Sequence, residues 1–297
     1  MLGVVNLDKP VGPTSHDMVG LLRRLTGTRR IGHAGTLDPL ASGVLPILVG
    51  VATRFSEELT GGGKRYEAVI RLGVRSATDD GEGPLEPGSG PLPPQAEVEA
   101  ALAELVGTFA QRPPAFSARK QAGRIAHRAA RSGDPIELAP RVVTVHGLDL
   151  LELRPGDGWL DVHLDIRCGP GTYIRAIARD IGERLGAGGY LHALRRTEAA
   201  GLSVADAVTP AALEELAAGG RLAEAVLPIA DLLPLPRLRL EASEAARFAH
   251  GSAVRIQAGA TGEGRMAVFG GDELLGIGSL RAGLLQPEKV VAPQGVG

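Results

Sequence analysis

One cysteine, Cys168, in 297 residues leaves no partner for an internal disulfide and no thiolate set for a structural metal. Aromatic residues are scarce at 3%, so each Tyr, Phe or Trp inside a motif carries weight. No uninterrupted apolar run approaches the roughly 20 residues that cross a bilayer. The first ten residues lack the basic stretch and apolar run of a signal peptide. Excess charge is also missing, since 32 Lys and Arg stand against 34 Asp and Glu for a net −2. These absences exclude a disulfide scaffold, a membrane span and a uniformly basic nucleic-acid binder. A reducing, cytoplasmic setting is expected.

What is present is a core and a pattern. The apolar fraction of 44% is enough for a packed α/β body. Ser15 to Leu25 has Met18, Leu22 and Leu25 on one helical face, with Ser15 as the expected cap. Thr28 to Leu40 reads as a Gly-rich loop, Tyr66 to Leu72 as a strand, and 81–94 as a Gly/Pro-rich surface excursion. Gln95 to Val106 is an amphipathic helix, and Thr144 to Leu153 and Leu160 to Ile166 are strands, the second alternating cleanly. After Cys168-Gly169-Pro170-Gly171, Thr172 is the expected cap of a helix whose core stripe is Ile174, Ile177, Ile181 and Leu185, ended by Gly186. Three prolines between Pro228 and Pro236 mark a boundary before short β segments.

Charge is uneven along the chain. Arg112, Arg119, Lys120, Arg124, Arg128 and Arg131 fall within twenty residues that contain no Asp or Glu. A run of this kind is either a solvated loop or a surface for phosphate, and local field matters more than net charge.

The segment Gly32-His33-Ala34-Gly35-Thr36-Leu37-Asp38-Pro39 holds a His, a Thr and an Asp among glycines that permit close approach of another chain or a ligand. Alone, Asp38-Pro39 reads as a turn. With the following Leu40-Ala41-Ser42-Gly43-Val44-Leu45 it resembles the catalytic loop of the TruB-type tRNA pseudouridine synthases, G-H-x-G-T-L-D-P-x-A-x-G-V-L. Four further segments resemble that family's motifs in the same order. They are Asp8-Lys9-Pro10-Val11-Gly12-Pro13-Thr14-Ser15, Lys64-Arg65-Tyr66, Gly171-Thr172-Tyr173-Ile174-Arg175 and Leu194-Arg195-Arg196-Thr197. The matches span roughly residues 6–200.

The resemblance implies a uridine-to-pseudouridine isomerisation in the T-loop of tRNA, at position 55, with Asp38 as nucleophile. The reaction exchanges an N1–C1′ bond for C5–C1′ with no net redox change, so no metal and no cofactor is expected. A carboxylate can serve as nucleophile. Attack at C6, attack at C1′ and initial removal of the 2′ proton all remain open. By the same resemblance Arg175 pairs with Asp38, the Tyr66 ring stacks on the base with its hydroxyl available for proton transfer, and Leu194 packs in the pocket. His33 fills the space that a flipped base vacates. Lys9 and Tyr173 join the substrate-binding set through their motifs. The basic run resembles the family's RNA-binding insertion, about 112–140, which assigns Arg119, Lys120 and Arg124 to the T-arm. Two departures touch RNA contacts: His127 stands near an expected Tyr, and Pro170 where Lys or Ser is common.

The implied fold is α+β: a mixed, largely antiparallel sheet with flanking helices, the pseudouridine synthase fold, plus a small C-terminal β-rich PUA-like module. Residues 1–235 would form the catalytic domain and 236–297 the RNA-binding module, in a monomer whose partner is tRNA. Two alternatives stand beside this reading. One is a guide-dependent synthase of ribosomal RNA, the other a non-catalytic RNA-binding or RNA-folding protein.

Overall fold

The computed structural model of the chain describes residues 3–116, 138–256 and 262–291, position 136, and the backbone of 120–121 and 124–125. Among them, no helix is long and apolar enough to cross a membrane. The main sheet runs Gly3–Lys9, Ala41–Val49, Gly189–Ala199, Lys64–Leu72, Leu160–Cys168, Arg141–Pro155, Gly107–Gln111. Every neighbouring pair is antiparallel except one, Ala41–Val49 against Gly189–Ala199, paired from Leu194↔Ala41 to Arg196↔Gly43. The expected mixed, largely antiparallel α+β sheet is what the chain forms.

Burial along each strand reflects what covers it. Leu160–Cys168 alternates buried and part-exposed positions because only one face meets the core. Its other face is open and carries cross-strand ion pairs, Arg71 with Asp161 at 2.7 Å and Arg65 with Asp165 at 2.7 Å. Ala41–Val49 is buried at eight of nine positions because both of its faces are covered. Leu45, Ile47 and Val49 meet the helical layer, while Val44 and Leu48 face a second apolar cluster.

The first helix, Ser15–Thr26, starts one residue earlier than the apolar periodicity suggests. Thr14 is its cap, in a reciprocal capping box with Asp17, and Ser15 is left free for another task. Gly27 ends it in the left-handed conformation at φ 69°. The helix Ile174–Arg184 has no side-chain cap; the Thr172 hydroxyl donates instead to the Gly169 carbonyl at 3.1 Å.

The C-terminal module is a five-stranded sheet with one helix, Ala242–Ala249. One face packs on that helix through Phe248. The other joins the second apolar cluster, where Ala267, Phe269, Ile277 and Val291 meet Val44, Leu48, Phe55 and Leu59. Glu58, 2% exposed, binds Arg265 at 2.7 Å and Lys289 at 3.0 Å across the same seam.

Candidate active site

The loop carrying Asp38 is tethered to three parts of the fold. The Ser15 hydroxyl donates to the Leu37 carbonyl and accepts from the Leu37 N–H, both at 2.8 Å. The Gly12 N–H donates to the Pro39 carbonyl at 2.8 Å. The Arg196 guanidinium donates to the carbonyls of Gly35 at 3.0 Å and Thr36 at 3.4 Å, and to Val44 at 2.7 Å. Gly43 permits this closure. A Cβ there would lie 2.2 Å from the Arg196 carbonyl and block the parallel pairing of the two strands.

Asp38 faces Arg175, with Nε 3.0 Å from Oδ2. The N–H is not aimed well enough at the carboxylate for a directed hydrogen bond, so the contact is chiefly ionic. The remaining arms of this buried guanidinium are fixed. Nη2 donates to the Phe116 carbonyl at 3.0 Å and Nη1 to the Thr78 carbonyl at 3.3 Å. Nη1 also lies 3.2 Å from Oδ2 of Asp80, whose side chain is only 4% exposed. Arg175 therefore sits between an accessible carboxylate and a buried one.

This pair separates two cavities. One, of about 250 Å³, is walled by Asp38, Tyr66, Tyr173, Leu194, Lys64 and Arg196. The other, of about 590 Å³, lies toward His16, His33, Asp80 and Phe116. Tyr66 comes from the Lys64–Leu72 strand and is 6% exposed. Burial raises its phenol pKa, against a lowering by Arg196, so the hydroxyl stays protonated near neutrality. His33 ends the strand Ile31–His33. Burial first, then the charges of Arg196 and His16, lower its pKa, and its buried Nδ1 has no partner among the described residues. A neutral imidazole results.

The motifs thus bring Asp38, Tyr66, Arg175, Tyr173 and Leu194 to one cavity and place His33 in its neighbour. Lys9 lines neither. It is fully buried, and its ammonium donates to the carbonyls of Pro10 at 2.8 Å and Pro13 at 2.7 Å. Its motif contributes to the site by shaping the turn beneath the loop, because a four-carbon stem rooted in a central-layer strand ends inside the protein. Arg119 and His127 lie outside the described residues, and Lys120 and Arg124 are described only in backbone, as the paired strands Lys120–Gln121 and Arg124–Ile125.

Three participants were not legible as such in the sequence. Asp80 lies beside a stretch read as a surface excursion, yet the Thr78 hydroxyl and the Glu82 N–H both bond its carboxylate. Thr-Asp-Asp-Gly has the look of an Asx turn, which is the one signal that pointed to order there. Asp79, at φ 61°, pairs with Arg179 at 3.0 Å and so clamps that turn to the helix of Arg175. Arg196 belongs to the Leu194-Arg195-Arg196-Thr197 motif, but nothing in the motif says that it is 1% exposed.

Comparison with known proteins matches three family models along the chain. They are "TruB family pseudouridylate synthase (N terminal domain)" over residues 23–174, "tRNA pseudouridylate synthase B C-terminal domain" over 175–234, and "Pseudouridine synthase II TruB, C-terminal" over 236–291. A relative from Thermobifida fusca (strain YX), "tRNA pseudouridine synthase B", is 44% identical over 297 residues, covering 98% of this chain and 98% of its own. One of the same name from Ralstonia pickettii (strain 12J) is 39% identical over 298 residues, covering 97% and 94%. Among solved structures, a chain of "Structure of H/ACA RNP bound to a substrate RNA containing 2'-deoxyuridine" superposes with a TM-score of 0.75 at 25% identity, over 99% of this chain and 86% of that one. A chain of "Crystal Structure of a Cbf5-Nop10-Gar1 Complex" gives 0.73 at 28%, over 97% and 84%.

Proposed function

This chain belongs to the TruB family of pseudouridylate synthases, and we propose that it isomerises a uridine in the T-loop of tRNA, position 55, with Asp38 as nucleophile. The observation that carries the reading is the Asp38–Arg175 contact at the edge of a cavity walled by Tyr66 and Leu194. Asp38 is 39% exposed, open enough to meet a substrate while held by a fixed cation. Tyr66 offers a protonated phenol and a flat ring to the base. Tyr173 and Leu194 close the pocket, and neutral His33 stands in the adjoining cavity, where a ring can take the place of an extruded base. Lys9 supports the loop from below.

Arg119, Lys120 and Arg124 are assigned to the T-arm backbone, and residues 236–297 to further RNA contact, in a monomer that uses no cofactor. The tRNA reading is favoured over a guide-dependent one because the tRNA synthase relatives match at 39–44% along nearly the whole chain. The chains from RNA–protein particles match at 25–28%.

The test is Asp38→Asn on unmodified tRNA transcript, with pseudouridine mapped by carbodiimide-dependent reverse-transcription stops. Binding should stay near wild type while turnover falls by about four orders of magnitude. Retention of more than a few per cent of the rate removes Asp38 from the role.

A further inference from the structure

The cavity beside Asp38 holds an imbalance of charge. Its walls carry three cations, Lys64, Arg175 and Arg196, against one carboxylate, Asp38. Arg175 is compensated by Asp38 and Asp80. Lys64 and Arg196 form no ion pair with any described carboxylate. Among the described residues, the Lys64 ammonium donates only to the carbonyls of Thr60 at 3.0 Å and Gly62 at 3.1 Å. Arg196, fully buried, donates to three carbonyls of the Asp38 loop and its strand. The two flank one glycine. A Cβ on Gly35 would stand 3.5 Å from Arg196 Nη1 and 3.7 Å from Lys64 Cε.

Arg196 is buried and Lys64 half-buried; charges withdrawn from water are ordinarily paired, because a fully buried unpaired one costs several kcal/mol. Two like charges facing one cavity leave a standing positive potential there. Burial, with Arg196 adding to it, lowers the Lys64 pKa, as a cation short of counter-ions should show.

Building on the pseudouridylate synthase reading, we propose that Lys64 and Arg196 form an anion-stabilising wall and that the anion they take is the detached pyrimidine ring. Breaking N1–C1′ leaves the electron pair on the ring, spread over N1 and the two carbonyl oxygens. That pair returns when C5–C1′ forms. The hydrogen on C5 then leaves as a proton and N1 gains one, so the isomerisation balances without oxidant or reductant. If Asp38 adds first at C6, the ring still carries an enolate. Fixed positive charge aimed at such developing charge lowers the barrier without reorganising. A backbone phosphate suits the site less well, because Arg196 is 1% exposed and so out of reach of a bulky phosphodiester, while a planar ring in the cavity can meet the N–H groups not already bonded to carbonyls.

The test has two arms. In the first, single-turnover tritium release from a T-arm hairpin labelled at C5 is measured for Lys64→Met and Lys64→Arg. Lys64→Met should slow the step about 100-fold, with hairpin Kd and its salt dependence unchanged, and Lys64→Arg should recover most of the rate. In the second, wild type is titrated with free 5-nitrouracil, ionised at neutral pH, and with uncharged thymine, alone and with a hairpin abasic at the target. The ionised ring should bind at least about tenfold more tightly, and Lys64→Met should erase the preference. Wild-type turnover in a folded Lys64→Met overturns the proposal. So does a loss confined to Kd with a flatter salt dependence, which assigns Lys64 to phosphate. An inactive wild type would refute the functional reading instead, and the ring-binding arm, which needs no turnover, still decides this one.

Discussion

Asp80 is the residue whose replacement most sharply separates a tuned guanidinium from one that is merely present. It lies 3.2 Å from Arg175 Nη1 with 4% of its side chain exposed, so solvent screens the pair little. At an effective dielectric of 20, a contact of that length is worth about 5 kcal/mol of attraction. Removing one partner of a buried pair costs about 3–5 kcal/mol, because the other charge stays behind uncompensated. Asp80→Asn keeps the shape and removes the charge. Arg175 would then be drawn toward Asp38, the other carboxylate in contact with it among the described residues, and the direction of the nucleophile would shift. A displacement of about 1 Å at a reacting group costs on the order of 100-fold in rate. The expected result is a kcat lowered by about that factor with KM nearly unchanged, since the Asp80 carboxylate is engaged by Arg175, Thr78 and the Glu82 N–H within the protein. Single-turnover tritium release from a C5-labelled T-arm hairpin measures the chemical step, and urea unfolding measures stability. A folded Asp80→Asn protein with wild-type kcat would refute the argument that two carboxylates set the direction of Arg175.

Further expectations concern charges elsewhere. Burial lowers the Lys9 ammonium pKa from 10.5 to about 8, so the fold resists its protonation. Wild-type stability should therefore gain up to about 3 kcal/mol between pH 8 and 10.5, and urea unfolding of Lys9→Met should lack that gain. Glu58→Ala removes the buried carboxylate shared by Arg265 and Lys289, which keep Glu288 and Glu57, should cost about 1.5–3 kcal/mol, and should raise hydrogen exchange in the strands Gly264–Gly270 and Glu273–Arg281 before the main sheet; uniform exchange would show no special seam. Replacing Arg119, Lys120 and Arg124 by Ala should weaken tRNA binding and flatten its salt dependence by roughly one log–log unit or less per lost contact, and an unchanged slope would remove them from the phosphate interface.

The fold was legible where one face of an element is covered and the other is wet. Leu160–Cys168 and the helix Ile174–Arg184 show this in their periodicity. It was not legible where that condition fails. Ala41–Val49, covered on both faces, has no alternation to read beyond the matched motif. Gly189–Ala199 is central to the sheet, but its register shifts between Leu191 and Ala193 and again between Arg196 and Glu198, which breaks the period of two. At the site, Asp38, Tyr66 and Arg175 were named by motif, but what fixes them was not. By its sequence Ser15 reads as a cap, because hydroxyls often cap helices. Its neighbour Thr14 takes that role, and Ser15 holds the loop of Asp38. Local rules assign a polar residue its nearest use, whereas tertiary closure here supplied another one 22 residues away.

That closure has a consequence for how the site tolerates change. The Asp38 loop is pinned by a hydroxyl from one helix, a backbone N–H from the Lys9 turn and a guanidinium from a distant strand. The partner of Asp38 is pinned by a turn, by Phe116 and by Asp80. Several of these tethers are bonds from charged groups to backbone carbonyls, which resist substitution of the residue donating the carbonyl and concentrate sensitivity on the cation. Sequence change should therefore be absorbed readily at Gly62, where only the carbonyl is used, as far as packing allows. It should be absorbed poorly at Lys64, Arg175 and Arg196. At Lys64 and Arg196 the carbonyl dipoles offset part of the lost hydration without cancelling the charge, so the field stays available to the cavity. A carboxylate in their place would satisfy the same cation better and remove that field. In this fold, incomplete pairing is what keeps a buried positive charge useful.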